Sequence, residues 1–144
     1  MENMDTVRLL RECDAGVKMG VESIDEILDK VCDSDLKKLL TESREHHEKL
    51  ENEIDLLLKQ CNAEEKEPGT IAKGMSWMKT NMKMGMDHSD ATAADLITDG
   101  ANMGIKSLNR YMNKYKEADE KAKKLCDKLI QIEEELRRDL RKYL

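Results

Sequence analysis

The stretch ADEKAKKLCDKLIQIEEELRRDLRKY, residues 118–143, decides the fold class of this 144-residue chain. Its apolar side chains recur at steps of three or four residues, which places them on one face of an α-helix. The predicted inward positions are Ala122, Leu125, Leu129, Ile132, Leu136 and Leu140. Basic residues fill the last turns, where they suit the negative end of the helix dipole. We therefore expect a long amphipathic helix over Ala118–Tyr143.

The same period predicts three more long helices, over Asp5–Val31, Asp35–Cys61 and Asp90–Tyr115. A very short connection at Asp33 and Ser34, either of which can cap the second helix, makes the first two helices antiparallel neighbours. The predicted inward positions of the three helices are Val7, Leu10, Val17, Val21, Ile24, Leu28 and Val31, then Leu36, Leu40, Ser43, His47, Leu50, Ile54 and Leu57, then Ala94, Ile97, Ala101, Gly104, Leu108, Tyr111 and Tyr115. The sequence predicts an all-α four-helix bundle in a single domain, residues 1–144.

Residues 62–89 are predicted to form a crossover segment between the two helix pairs. The polar stretch NAEEKEPG at its start contains the single proline of the chain and indicates a loop, and a short extra helix is predicted over Ile71–Met84. Such a segment can return the chain along the bundle, so that the second and third long helices run parallel. The alternative is a short helix that caps one end of a simple up-down bundle.

Composition and charge exclude several classes of function. The chain has 3% aromatic residues, seven glycines and one proline, which argues against all-β architectures. Its net charge of −6 disfavours binding to nucleic-acid phosphates. The N-terminus lacks the cations and apolar stretch of a signal peptide, and the longest strongly apolar run is Leu56–Leu58, so we expect no membrane span. Four cysteines without CxxC spacing predict free thiols and a cytoplasmic location.

Several stretches resemble a known family. GTIAKGMSWMKTNM (residues 69–82) and ADLITDGANMGIKSLNRYMNKY (residues 94–115) resemble the uncharacterised ferritin-like four-helix-bundle family of bacteria, a domain of unknown function with the rubrerythrin/ferritin-type fold. AGVKMGVESI (residues 15–24) also fits, and SREHHEKLENEI (residues 43–54) resembles the second helix of rubrerythrin-type proteins. The resemblance implies a ferritin-like bundle with the long crossover. Ferritin-like metalloproteins hold two metal ions with a Glu from each of two helices and a Glu-x-x-His from each of the other two.

This sequence departs from that ligand pattern on every helix. On helix one, Glu22 lies away from the apolar face and Val21 is the inward neighbour. On helix two, His46 fits the histidine, but Ser43 stands where glutamate is required. On helix three the corresponding residue is Ala101, and helix four contains no histidine. We therefore predict an emptied site, with no catalytic, cofactor-binding or metal-binding residues.

The remaining candidate for metal binding is the cluster of Glu42, Glu45, His46 and His47. Glu42 and His46 are one helical turn apart and could hold Fe, Mn or Zn together with groups from another helix. The more ordinary interpretation places His47 at the edge of the core with a hydrogen-bond partner, and the other three side chains at the rim.

Four further predictions concern single groups. Glu133, Glu134 and Glu135 are expected to form a solvated face. Asp14 is expected to reach a lysine or the end of the bundle rather than His47. Buried, inert thiols are predicted at Cys13 and Cys126. The stripe of Ile71, Met75, Met78 and Met82 is expected to pack against Leu96 and Met103.

The sequence thus predicts a non-enzymatic, ferritin-like bundle that serves as an interaction or structural module, as a homodimer or with an unidentified protein partner. The alternative is a divergent metal-binding protein that uses His46, His47 and the nearby glutamates. A third hypothesis is a small apolar ligand in a cavity around Gly20, Ser43 and Gly104.

Overall fold

A computed structural model of the chain describes residues 4–61 and 89–144. Within these ranges the chain is all-helical and contains no strand. Its elements are α1 (Met4–Leu28), α2 (Ser34–Gln60), α3 (Asp90–Lys114), α4 (Glu120–Leu140) and one closing 3₁₀ turn (Arg141–Tyr143). The four predicted long helices are confirmed, with small shifts at their ends. The predicted helix over Ile71–Met84 and its methionine stripe lie outside the described residues.

Side-chain caps explain where three of the helices begin. The Asp33 carboxylate accepts from the N–H groups of the first turn of α2, both at 2.9 Å. The Ser89 hydroxyl accepts from the third residue of α3 at 3.1 Å. Asp119 accepts from Ala122 N–H at 3.0 Å, and for this reason α4 begins at Glu120 rather than at the predicted Ala118.

Hydrogen bonds between helix ends set the directions of the four helices. The Asp90 carboxylate at the start of α3 accepts from Cys32 N–H at 2.8 Å and Asp33 N–H at 3.0 Å, which are in the turn between α1 and α2. At the other end, Asp119 N–H donates to the Thr6 hydroxyl of α1 at 2.8 Å. Therefore α2 and α3 run in one direction, whereas α1 and α4 run in the other. Cys61 and residue 89 consequently lie at opposite ends of the bundle.

The apolar interior consists of two clusters, one toward each end of the bundle. One cluster joins the first half of α1 to the second half of α2 and the first half of α4. The other joins the second half of α1 to the first halves of α2 and α3 and the end of α4. α1 and α4 each contact all three other helices. The two clusters leave a polar layer halfway along the bundle.

The buried face of α4 differs from the predicted one at two places. Leu125 and Ile132 are only partly buried, whereas Cys126 and Glu133 are buried. Other residues that were predicted to face inward but are only partly buried are Val21, Leu28, Leu57, Gly104, Tyr111 and Tyr115. These positions lie at the edges of their apolar stripes, where one step of 100° decides burial.

Cys13 of α1 and Cys126 of α4 are fully buried free thiols, as predicted. A hydrogen bond with Cys126, followed by burial, raises the pKa of the Cys13 thiol well above its ordinary value. The thiol therefore stays protonated, which makes it a poor nucleophile.

In residues 4–61 and 89–144, no helix combines the length and the apolar character that a membrane crossing requires.

Replacing Asp90 with alanine is expected to lower the free energy of unfolding by about 1–2 kcal/mol, because two backbone N–H groups in the α1–α2 turn lose their acceptor. Urea denaturation measures this change. Asp95→Ala, at an exposed position on the same helix, is the matched control, with an expected change within about 0.5 kcal/mol. Equal effects of the two substitutions would contradict the tie between α3 and the turn.

Candidate functional site

The polar layer contains a buried pair formed by His47 of α2 and Glu133 of α4. The two side chains are 1% and 9% exposed. His47 Nε2 lies 2.9 Å from Glu133 Oε1, and His47 Nδ1 lies 2.7 Å from the Ser43 carbonyl oxygen, one turn earlier on α2. Both ring nitrogens are therefore engaged, and the pair links two helices that are distant in sequence.

The Ser43 carbonyl determines how the pair holds its protons. A carbonyl oxygen only accepts, so His47 Nδ1 must carry a proton. Burial by itself disfavours the charged imidazole, but the hydrogen bond and charge of Glu133 and the Ser43 carbonyl outweigh it and raise the pKa of His47 above 6.5. At pH 6.5 and below the pair is therefore an imidazolium that donates to a carboxylate.

Two glycines on the other helices leave room for this pair. A Cβ at Gly20 of α1 would lie 2.9 Å from His47 Cδ2 and 3.0 Å from Nε2, closer than real Cβ contacts. A Cβ at Gly104 of α3 would lie 3.7 Å from Glu133 Cδ, an ordinary van der Waals distance. The close approach of α1 to the imidazole thus requires glycine, whereas the approach of α3 to the carboxylate does not.

A groove between α1 and α3 opens onto the pair, with a cavity volume of about 180 Å³. Gly20, Gly104, His47 and Glu133 all line it, but Ser43 is not among its lining residues. The larger apolar side chains of its walls are Met19, Ile24, Ile97, Met103, Leu108, Leu129 and Leu136, and the Tyr111 ring lies beside them. Of the three residues around which a cavity was expected, Gly20 and Gly104 line the groove and Ser43 does not.

The predicted metal cluster does not converge on one point. Glu42, Glu45 and His46 are exposed on α2, whereas His47 is buried and faces α4. The placement of His46 at the interior histidine position is wrong, because His47 occupies the inward face. The prediction of a partner for His47 at the core is confirmed. Within the described ranges, no three His, Cys, Asp or Glu side chains form a group that could hold a metal ion.

The prediction of a solvated face at Glu133 is wrong, although Glu134 and Glu135 are exposed as expected. Glu133 lies four residues after Leu129 and three before Leu136, both of which are buried. That spacing places it on the inward stripe of α4. The comparison of helix four with the ferritin-like ligand pattern considered only histidine, and it therefore missed the buried carboxylate of Glu133.

A second buried carboxyl group, Asp14 of α1, lies at the contact with α2. Lys18 Nζ donates to Asp14 Oδ2 at 2.7 Å, which confirms the predicted lysine partner. The Oδ1 atoms of Asp14 and Asp55 are buried without a conventional hydrogen-bond partner. Burial first, then a hydrogen bond with Asp55, raise the pKa of Asp14 to about 7 in spite of Lys18. A hydrogen bond between two carboxyl groups requires a proton on one of them, and the raised pKa assigns that proton to Asp14, which then donates to Asp55.

No family model matches this chain, and no curated protein matches it. In the part of the chain that the structure describes, the fold and the site together define an all-helical arrangement of four long helices with a buried histidine–glutamate pair halfway along its length. The ferritin-like resemblance stays a prediction.

Alanine at the two glycines is expected to have opposite effects on stability. Gly104→Ala should stabilise the protein by about 0.5–1 kcal/mol, because its methyl group fits and alanine favours the helix. Gly20→Ala should destabilise it by about 1–3 kcal/mol, because His47 is held at both nitrogens and cannot move away. Urea denaturation of both variants measures the difference. A Gly20→Ala variant as stable as the parent would contradict the close contact.

The free energy of unfolding is expected to fall as pH rises above 6.5, because folded His47 keeps a proton that the unfolded chain has released. This contribution is fully present below pH 6.5 and is lost as pH rises through the raised pKa of the folded protein. Urea denaturation between about pH 6 and 9 measures the slope. Glu133→Gln removes the charge that raises the pKa and should flatten it.

Protonation of Asp14 also makes the free energy of unfolding fall as pH rises, but over a lower pH range, since the pKa of Asp14 rises from 3.8 to about 7 on folding. Its contribution is fully present below pH 3.8 and is lost as pH rises through about 7. The Asp14→Asn background therefore isolates His47. A slope above pH 6.5 that persists with both Asp14→Asn and Glu133→Gln would contradict the assignment to His47.

Proposed function

We propose that this protein is a non-enzymatic, ferritin-like four-helix bundle in which an ion pair replaces the interior metal site, and that it serves as an interaction or structural module. The observation that carries the proposal is the His47–Glu133 pair, because these two interior groups, each able to bind a metal, bind each other instead. The module is a single cytoplasmic domain, and its partner is a second copy of the chain or another protein.

The directions of the helices support the ferritin-like part of the proposal. Because α2 and α3 run the same way, the chain between Cys61 and Ser89 joins opposite ends of the bundle. One long crossover between two helix pairs is the ferritin-like connectivity, and the extra helix over Ile71–Met84 belongs to that crossover in our proposal.

The protonation of His47 supports the absence of a resident metal. A metal ion binds a histidine nitrogen that has lost its proton. At pH 6.5 and below, His47 Nδ1–H donates to the Ser43 carbonyl and Nε2–H donates to Glu133, so neither nitrogen offers a lone pair. A metal would have to displace the proton and leave Glu133 without its buried partner, which is costly in a desolvated interior.

The alternative function is divergent binding of Fe, Mn or Zn on the surface of α2. Glu42 and His46 are both exposed and one turn apart, so both are accessible to an ion. Two ligands from one helix turn hold a metal weakly unless other groups complete the coordination. We therefore propose this function second.

Elemental analysis tests the proposal on the full chain after exposure to Fe(II), Mn(II) and Zn(II) and desalting. We expect fewer than about 0.2 ions per chain, because the interior histidine and glutamate bind each other and a metal would have to displace that hydrogen bond. Retention of one or two ions would overturn the proposal.

Two variants then locate any retained metal. His46→Ala removes the surface candidate and leaves the interior pair intact. Glu133→Gln keeps the shape of the interior side chain but removes its charge. Loss of metal only in His46→Ala would establish the surface alternative, whereas loss only in Glu133→Gln would establish an interior site.

A further inference from the structure

We infer that the groove between α1 and α3 binds a small molecule with a compact apolar body and one ammonium group, and that Glu133 is its polar anchor. The inference goes beyond an unspecified interaction role, and it rests on the proposed function in requiring that no metal occupies Glu133.

The volume of the groove limits the size of the apolar body. A closed apolar cavity of about 150 Å³ in a helical protein accommodates one benzene molecule. The groove measures about 180 Å³, so one aromatic ring with a one-carbon substituent fits. The walls suit such a body, because Met19, Met103 and Leu108 contribute flexible apolar side chains.

Small residues on both helices create this volume. Gly16 and Gly20 of α1 face the groove, and so do Gly100 and Gly104 of α3. Larger side chains at these positions would fill the space between the two helices. The groove is therefore a property of the backbone spacing, and it reaches the buried pair directly.

The anchor is the second carboxylate oxygen of Glu133. Its Oε1 atom accepts the hydrogen bond from His47 Nε2, and no hydrogen bond from the residues that the structure describes reaches its Oε2 atom. The Glu133 side chain is only 9% exposed, and it lines the groove. A carboxylate oxygen only accepts hydrogen bonds, so the ligand must donate one.

The charge of the lining selects an ammonium over an anion. The described lining residues include the carboxylates Glu12 and Glu133 but neither lysine nor arginine. Both N–H groups of the His47 imidazolium already donate, so an anion finds no side-chain cation with a free donor there. An ammonium group finds a carboxylate, and the Tyr111 ring in the wall is a further favourable partner for a cation.

The experiment is a titration of the metal-free full chain with four molecules of similar size: benzylamine, benzyl alcohol, toluene and benzoate. Two-dimensional ¹H–¹⁵N NMR follows the amide signals of Gly20 and Gly104. We expect saturable shifts at both glycines with benzylamine, at least about tenfold tighter than with benzyl alcohol or toluene, because a charge-assisted hydrogen bond forms in a desolvated site. Benzoate should produce no saturable shift.

Three variants assign the binding to the groove and its anchor. Glu133→Gln keeps the shape of the side chain and should weaken benzylamine binding at least about tenfold. The matched control, Glu134→Gln, changes the exposed neighbour on the same helix and should leave the affinity unchanged. Ser107→Leu at the groove wall should abolish binding of benzylamine, benzyl alcohol and toluene while both charged groups remain.

Three outcomes would overturn the inference: toluene or benzoate binding as tightly as benzylamine, unchanged benzylamine affinity in Glu133→Gln, or no saturable shift with any of the four. The last result would follow if residues 62–88 or a second copy of the chain filled the groove. Metal retention in the elemental analysis defeats the proposed function by a separate measurement, so the two failures are distinguishable.

Discussion

The buried ion pair between His47 and Glu133 constrains where all four helices can lie. Two charged groups in an apolar interior are tolerated only when they face each other at hydrogen-bond distance. α2 and α4 must therefore meet at this level of the bundle, with the imidazole held by the Ser43 carbonyl. α1 can approach the ring only because position 20 is glycine.

The same constraint divides the interior. Apolar side chains pack on both sides of the polar layer, and neither of the two apolar clusters continues through it. At the layer itself, glycines on α1 and α3 replace the larger side chains that would close the space between these helices. The groove and the buried charge are thus one feature, because room for the pair also leaves room beside it. This link motivates the proposal of a ligand anchored at Glu133.

The four helices were predictable from the sequence, but the buried face of α4 was not predicted correctly. The period of three and four residues located all four helices, and Asp33 before α2 was predicted as a candidate cap. On α4, the buried positions 122, 126, 129, 133, 136 and 140 also follow this period. Leu125 and Ile132 were predicted on this buried stripe because they are apolar. Glu133 was predicted to be solvated because two further glutamates follow it. Spacing alone carried the correct signal.

The local sequence was enough to predict the four helices to within a few residues at their ends, the lysine partner of Asp14 and the burial of both Cys13 and Cys126. These features depend on hydrogen bonds and side-chain spacing within one helix, which are local along the chain. Only the tertiary structure decided that His47 pairs with Glu133, that Asp14 meets Asp55, and that a groove opens between α1 and α3. Each of these depends on the distance between two helix axes, which many side chains far apart in sequence set together.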